Sequence, residues 1–311
     1  MKKKHIVIIG LGGVGGYFGF KINQHNEHTS LNTISFVVRN QSFEIIKNNG
    51  LTLISSEHPN KTTFPNAIHL TIAQIQKPDL ILVCVKEYDL ENLCRQLNEV
   101  ITDETIILPM MNGADIYDRI RKIIPNNTIL PSCIYVVSHL KDNGVVEHRG
   151  KSGKLILGKD PNNSSINFNW VLEVLKSSNI NYEFTKNIQL EIWTKFIFIA
   201  SFGLVTAKYN SSIGTVCADA QQKEEVIKIM TEIKLIAASK EVVFENNIIE
   251  KTFIKALSFP YETPTSLQLD INSEKKNNEL ELFAGAIINY GRAQNVATPF
   301  TQKVYIELKN K

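Results

Sequence analysis

The stretch Gly10-Leu11-Gly12-Gly13-Val14-Gly15 follows an apolar run at residues 5–9 and precedes a segment with helical periodicity. A strand, this glycine spacing and a helix, in that order, form the context in which a G-x-G-x-x-G pattern binds a dinucleotide. The first glycine makes the tight turn, the second lets the backbone approach a pyrophosphate, and the third lets helix and strand pack closely. The stretch therefore predicts a dinucleotide site, with a glycine-rich turn that binds nothing as the alternative.

Outside this stretch, the first half of the chain alternates short apolar runs with helical patterns, which is typical of a parallel sheet covered by helices. The predicted strands are residues 5–9, 34–38, 80–85 and 105–108, and the predicted helices are residues 13–24, 90–100 and 115–123. Tight-turn sequences at Asn143-Gly144 and Ser152-Gly153 predict a small antiparallel extension. A helix and a strand are expected next, near residues 168–176 and 181–184.

Beyond residue 186 the pattern becomes almost wholly helical, with long periodic segments at residues 188–207, 223–244 and 279–293. We therefore predict an α/β fold of two domains. Residues 1–186 form a Rossmann-type doubly wound sheet with a small antiparallel extension, and residues 187–311 form an all-helical domain. A length of 311 residues fits two domains.

Composition excludes several classes of protein. The net charge is +3, with 34 basic and 31 acidic residues interspersed, which argues against a nucleic-acid partner. No uninterrupted apolar run approaches the roughly 18 residues that cross a bilayer. Met1-Lys2-Lys3-Lys4 could begin a secretory signal, but the glycines that follow favour a turn.

The cysteines are far apart with no C-x-x-C pair, so we expect no metal site and a reducing cytoplasm. They are Cys84, Cys94, Cys133 and Cys217.

The residue after the second predicted strand bears on the choice of cofactor. An NAD enzyme usually places an acid there to bind the ribose 2′-hydroxyl, but this chain reads Phe36-Val37-Val38-Arg39. A guanidinium is always charged and can fork onto phosphate oxygens. Arg39 therefore favours NADPH over NADH, with a solvated surface arginine as the alternative.

Further short strings continue in order along the chain: Val85-Lys86, Asn112-Gly113, Trp193-Thr194-Lys195, Thr265-Ser266-Leu267 with Asp270, and Asn278-Glu279-Leu280-Glu281. With the glycine stretch and Arg39, their order and spacing resemble the ketopantoate (2-dehydropantoate) reductase family from about residue 5 to residue 299. The resemblance implies a cytoplasmic, homodimeric enzyme with its active site between two domains. It also implies NADPH-dependent reduction of a small 2-oxo acid, 2-dehydropantoate to pantoate, in pantothenate biosynthesis.

The resemblance assigns a role to each matching residue. Lys195 is the implied proton donor, since a positioned ammonium can stabilise and protonate the alkoxide that hydride addition creates. Lys86 would lie near the cofactor and Asn112 near both cofactor and substrate. Ser266 would hold the substrate carboxylate, and Glu279 would lie near the cofactor and the lysine. The plainer alternatives are solvated lysines, an Asn-Gly turn and a helix-capping glutamate.

Three residues depart from the family pattern, because Ile199, Gly203 and Ile213 stand where the family has asparagines that face the substrate. Each lost amide removes hydrogen bonds worth about 1 kcal/mol or more in a buried site. The departures predict a more apolar pocket and a less hydroxylated 2-oxo acid. The candidates to replace the amides are Asn210, Ser201 and Thr206.

Two other functions stay open on the sequence. A β-hydroxyacid dehydrogenase also joins a Rossmann domain to a helical domain and uses a lysine, although its glycine-rich substrate string is not found here. A non-catalytic NADPH sensor would keep the glycine stretch without needing Lys195.

Overall fold

The structure is a computed structural model of the chain that describes residues 3–163, 166–273 and 277–311. Met1 and Lys2 of the basic N-terminal stretch lie outside the described residues. The chain divides into two compact units. The first unit runs to Met111 and includes Ile116–Ile188, and the second contains Asn112–Asp115 and Gln189–Lys311.

The first unit contains all the strands of the described chain. They are β1 (Lys4–Ile9), β2 (Asn32–Val37), β3 (Leu51–Ser55), β4 (His58–Thr63), β5 (Ala67–His69), β6 (Leu80–Val83), β7 (Ile106–Pro109), β8 (Thr128–Ile129), β9 (Ser132–Tyr135), β10 (Ser138–Asp142), β11 (Val145–His148), β12 (Lys154–Gly158) and β13 (Asn181–Thr185). Its helices are α1 (Gly13–Thr29), α2 (Asn40–Asn49), α3 (Glu87–Leu97), α4 (Ile116–Ile123) and α5 (Asn169–Ser177), with a 3-10 turn at Ile72–Gln74.

The main sheet is parallel throughout, in the order β5-β2-β1-β6-β7-β8. The strand β1 lies between β2 and β6, and its last four residues are buried. Strands buried on both faces read as continuous apolar runs, which is why the sequence revealed β1 and β6. Since parallel strands end at one edge of a sheet, the residues after β1, β2 and β6 come together there.

The smaller strands form two further sheets, β10-β11-β3-β4 and β13-β12-β9. The turn at Asn143-Gly144 joins β10 and β11 as an antiparallel hairpin, as predicted. The turn at Ser152-Gly153 does not make a hairpin, because β11 and β12 belong to different sheets. The physical reason is that the chain crosses the buried ring of Tyr17, whose hydroxyl oxygen accepts a hydrogen bond from the Gly153 N–H at 3.0 Å. The strands β3, β4 and β5 were not predicted.

The second unit is built from helices, namely α6 (Ile188–Tyr209), α7 (Ile213–Ala218), α8 (Ala220–Ser239), α9 (Ile248–Leu257), α10 (Ser266–Asn272), a π-helical turn (Glu281–Gly285) continuing into α11 (Ala286–Ala293), and α12 (Pro299–Lys309). The predicted fold class is thereby confirmed. Helix α8 begins earlier than predicted because Asp219 caps it, accepting a hydrogen bond from the Gln222 N–H at 2.8 Å. The predicted helix at residues 279–293 begins as the π-helical turn.

Helix α6 is long and apolar enough to span a membrane by length and mean hydropathy, which is 1.5 over an 18-residue window. Counting uninterrupted apolar residues missed this, because Glu191 and Lys195 interrupt the run. However, 72% of that window is buried inside the protein. Phe196, Ile197 and Phe202 are among its fully or almost fully buried side chains. The helix is therefore the core of the second unit.

Candidate active site

The glycine stretch makes the turn from β1 into α1, and three of its glycines are required by packing. Gly10 has φ +87°, and a Cβ there would lie 2.7 Å from the Cys84 carbonyl oxygen. A Cβ on Gly13 would lie 2.2 Å from the Ser138 oxygen, and one on Gly15 would lie 1.9 Å from the Gly10 oxygen. Real Cβ atoms do not approach so closely, so any side chain at these positions would push the helix off the sheet.

Gly12 is different, because a Cβ built there meets no atom of the described chain within 4 Å. It is the N-cap residue of α1 and lines a cavity, as does Leu11. Val14 instead packs against the hydrophobic core. No atom of the described residues requires a glycine at position 12. A pyrophosphate bound at the N-terminus of α1 would, however, need the space that a side chain at this position would fill.

The cavity has a volume of about 450 Å³ and is lined by residues of the first unit. Gly12, Arg39 and Lys86 line it and are the N-cap residues of α1, α2 and α3. A helix N-terminus carries partial positive charge, so all three favour an anion. The remaining lining residues are largely apolar or uncharged, and include Ile9, Val37, Val38, Ser42, Leu70, Ile72, Cys84, Val85, Tyr88, Asn92, Leu93, Gln96 and Leu140. These residues fit a dinucleotide.

Arg39 follows β2, where the sequence predicted a contact to the cofactor. Its side chain is 77% exposed and forms an ion pair with Asp89, in the first turn of α3. Both residues line the cavity. Sequence reasoning missed Asp89, because it lies 50 residues from Arg39 and belongs to no motif that we recognised.

Lys195 and Asn112 come together in the second unit. The Lys195 Nζ donates a hydrogen bond to the Asn112 Oδ1 at 2.7 Å, across 83 residues of sequence. Both residues are half-buried. The Trp193 ring, 1% exposed, packs on Phe196 and Tyr290 with centroids 5.8 and 5.7 Å away, which anchors α6 beside Lys195. The hydrogen bond to Asn112 thus positions the Lys195 amine.

Ser266 and Glu279 lie on other elements of this unit. Ser266 is exposed, at the first residue of α10, and the cap of that helix is Thr265. Glu279 is 5% exposed and precedes the π-helical turn. Before this turn, the Asn278 Oδ1 accepts a hydrogen bond from the Leu280 N–H at 3.0 Å. Glu279 is thus a buried acid at the start of this helical segment.

The residues that replace the family asparagines carry no polar side-chain atoms. Ile199 and Gly203 follow Lys195 at four-residue spacing, so all three share a face of α6. A Cβ on Gly203 would lie 3.8 Å from atoms of Leu267 and Phe283, which is ordinary contact. Ile213 is buried. Ile199 and Gly203 therefore give this face of α6 no polar side chain beyond Lys195.

The three residues expected to replace the lost amides already bond within the unit. The hydroxyl of Ser201 donates to the Ile197 oxygen at 2.5 Å. Thr206 Oγ1 donates to the Phe202 oxygen at 2.8 Å. The Asn210 Oδ1 accepts from Gln268 and Asn272 at 3.1 and 2.6 Å. These oxygen atoms are thus already engaged in hydrogen bonds within the second unit.

Comparison with known proteins agrees with this architecture. A family model described as ketopantoate reductase PanE/ApbA matches residues 6–162, and the model of the C-terminal part of that family matches residues 187–311. The chain belongs to the ketopantoate reductase family.

Individual relatives of this ketopantoate reductase family member are distant but match at nearly full length. An uncharacterized oxidoreductase, YkpB, of Bacillus subtilis is 22% identical over 303 residues, 97% of each chain. A 2-dehydropantoate 2-reductase of Streptococcus pyogenes is 23% identical over 300 residues, 96% of this chain and 95% of the relative.

Solved structures show the same fold. The 2-dehydropantoate 2-reductase from Methylococcus capsulatus has a TM-score of 0.86 at 24% identity, covering 98% of this chain and 96% of its own. A D-mandelate dehydrogenase, solved with NADH and anilino(oxo)acetate, has a TM-score of 0.84 at 20% identity, covering 98% and 97%. Membership of the ketopantoate reductase family makes the chain an oxidoreductase of the kind that uses a nicotinamide cofactor.

Proposed function

We propose that the protein reduces the carbonyl of a small 2-oxo acid to the 2-hydroxy acid with NADPH. The family substrate, 2-dehydropantoate, is the first candidate, with pantoate as product, which would place the enzyme in pantothenate biosynthesis in the cytoplasm. The observation that carries the proposal is the 2.7 Å hydrogen bond between Lys195 and Asn112. It holds an amine in one direction on a buried, apolar helix.

Lys195 is the proposed proton donor. An ammonium has three N–H donors, and the bond to Asn112 orients the group. Bound NADPH supplies the hydride to the carbonyl carbon. Lys195 stabilises the negative charge that develops on the carbonyl oxygen, transfers a proton to it, and regains a proton from solvent, because it is half-buried. Ser266 would hold the substrate carboxylate, since a hydroxyl at the start of α10 can donate to an anion.

The cofactor is proposed to bind in the cavity of the first unit. Gly10, Leu11, Gly12, Gly13, Val14 and Gly15 would form the pyrophosphate turn. Arg39 would pair with the 2′-phosphate, and Lys86 with other polar groups of the cofactor. Asn112 and Glu279 are proposed to contact the cofactor as well. We further propose residues 1–186 as the cofactor-binding domain, residues 187–311 as the catalytic domain, and a homodimer as the assembly.

The test is the oxidation of NADPH with a matched pair of substrates, 2-dehydropantoate and 3,3-dimethyl-2-oxobutanoate, which differ by one hydroxyl group. We expect turnover of both. Since Ile199 and Gly203 present no polar atom to a hydroxyl, the second compound should have at least an equal kcat/KM. A clear preference for 2-dehydropantoate would refute the apolar pocket and leave the reaction intact.

Two outcomes would favour the other functions. Tight NADPH binding without turnover of any 2-oxo acid would support a sensor. Oxidation of 3-hydroxy acids with NADP, but no reduction of 2-oxo acids, would support a β-hydroxyacid dehydrogenase. Either result would overturn the proposed reaction.

A further inference from the structure

The Arg39–Asp89 ion pair places a carboxylate in the proposed cofactor cavity, and this carboxylate comes from α3 and not from the end of β2. Arg39 ends the turn after β2, and Asp89 comes from the first turn of α3. Among the described residues that line the cavity, Asp89 is the one carboxylate, and Arg39 and Lys86 are its cations. The cavity that contains the two cations expected to bind the cofactor therefore also contains a carboxylate.

The exposure of this pair makes it exchangeable. The side chains are 77% and 36% exposed, and ion pairs between exposed groups contribute little to stability. A phosphate monoester carries a charge of about −1.5 to −2 near neutral pH, against −1 for a carboxylate. The 2′-phosphate of NADPH would therefore displace Asp89 from Arg39. The displaced carboxylate, still on α3 at the cavity wall, would then repel the phosphate.

The same carboxylate suits the other cofactor. In dinucleotide sites that take NADH, an acid accepts a hydrogen bond from the ribose 2′-hydroxyl, usually from the end of the second strand. Here that position is Arg39, while Asp89 is in contact with its guanidinium. A 2′-hydroxyl near Arg39 is thus near a carboxylate that can accept its hydrogen bond, whereas the same carboxylate would repel a 2′-phosphate.

We infer that Asp89 is a specificity-determining residue that lowers the preference of the cavity for NADPH over NADH. It competes with the 2′-phosphate for Arg39 and accepts the 2′-hydroxyl when the phosphate is missing. The inference rests on the proposed function, because it requires the nicotinamide cofactor to bind in this cavity.

The experiment measures the Kd of NADPH and of NADH by nicotinamide fluorescence, without substrate, for the wild type and Asp89→Asn. Removing the charge should tighten NADPH binding by roughly 3- to 10-fold at low salt, and by less at higher salt. It should weaken NADH binding by about 10-fold, because a hydrogen bond to a charged acceptor is lost.

The matched control is Glu91→Gln, an exposed acid of the same helix that pairs with Arg95 at 2.7 Å and does not line the cavity. Both dissociation constants should stay within about twofold in this control.

The possible results distinguish a failure of this inference from a failure of the proposed function. Weaker NADPH binding by Asp89→Asn would mean that Asp89 holds Arg39 in place for the phosphate, and an unchanged ratio of the two constants would mean that it has no role. Either result overturns the inference while the cofactor still binds. A wild-type protein that binds neither cofactor would overturn the proposed function, and the inference with it.

Discussion

Lys21 in the first unit and Lys195 in the second have similar sequence surroundings and different structural ones. Each lies on an apolar helix beside bulky side chains, in Phe20-Lys21-Ile22 and in Lys195-Phe196-Ile197. The Lys21 side chain is 3% exposed, and its Nζ donates to the carboxylate of Glu57 at 2.8 Å, to the Tyr17 hydroxyl at 3.1 Å and to the Asn179 carbonyl at 3.1 Å. Lys195 is half-buried and donates to an amide oxygen.

The difference teaches that the burial of a lysine, more than the sequence of its helix, indicates its role. A buried ammonium bonded to a carboxylate, a phenol and a carbonyl is held in its charged form, and removing its partners is costly. Such a group joins α1 to the segments around it. A half-buried ammonium that a hydrogen bond to Asn112 orients can give its proton to a substrate and recover one from solvent. We therefore interpret Lys21 as structural and Lys195 as chemical.

The largest expected effect separates the two lysines directly. Lys195→Ala should lower kcat by about 10³-fold, within the usual range for loss of a general acid, with little change in Tm. Lys21→Met should lower Tm markedly, since it leaves the carboxylate of Glu57 without its buried cation, and should change kcat at 25 °C by less than about threefold. Steady-state kinetics and thermal unfolding of both variants check this. Similar losses of turnover in both would break the comparison.

Much of the fold could be predicted from the sequence, because its signals are local. The apolar run before Gly10 predicts β1, and the helical periodicity around Trp193 predicts α6. Both signals come from residues that are close together in the sequence. The strands β3 and β4 were missed, because residues such as Thr52 and Lys61 are only partly buried or exposed and show no continuous apolar run. The Ser152-Gly153 turn was misinterpreted because its course depends on Tyr17, 136 residues away from Gly153.

The candidate site likewise has local features that the sequence predicts and long-range contacts that it does not. The glycine turn is local, and its geometry at Gly10 and Gly15 follows from the motif. The contact between Lys195 and Asn112 spans 83 residues, so sequence could propose each residue by resemblance but not their bond. The pairing of Arg39 with Asp89 was not predicted at all, since no periodicity joins the end of a strand to a helix 50 residues later.

A smaller effect is expected at the amide partner of Lys195. Asn112→Ala should lower kcat/KM by about 10- to 100-fold, because the amine loses the acceptor that orients it, and hydrogen bonds to charged groups contribute about 1.5–3 kcal/mol. The control is Asn272→Ala, which removes a 2.6 Å amide–amide bond on the exposed side of the same unit and should leave kcat/KM nearly unchanged. An Asn112→Ala enzyme with normal kinetics would show that the bond does not position Lys195 for turnover.

The smallest effect on turnover, and a clear effect on stability, is expected at Glu57. Burial raises the pKa of Glu57, but hydrogen bonds from Lys21 and Tyr17 outweigh it and hold the pKa below its ordinary 4.5. Burial lowers the pKa of Lys21, and the bonds to Glu57 and Tyr17 raise it above its ordinary 10.5. Below the ordinary carboxyl pKa, the unfolded chain binds a proton before the folded one, so stability falls. Above the ordinary amine pKa, the unfolded chain releases a proton first, so stability falls again.

The contribution of the pair is therefore complete between about pH 4.5 and pH 10.5 and declines on both sides. Glu57→Gln should cost about 3 kcal/mol of unfolding free energy near pH 7, and the difference from wild type should shrink as the pH falls below 4.5. The control is Glu183→Gln, whose ion pair with Lys154 has a length of 2.7 Å but is exposed, and which should cost less than about 1 kcal/mol. Denaturant titrations at several pH values measure both. If Glu57→Gln instead lost turnover at unchanged stability, the cluster around Lys21 would act on the chemistry, and the distinction between the two lysines would fail.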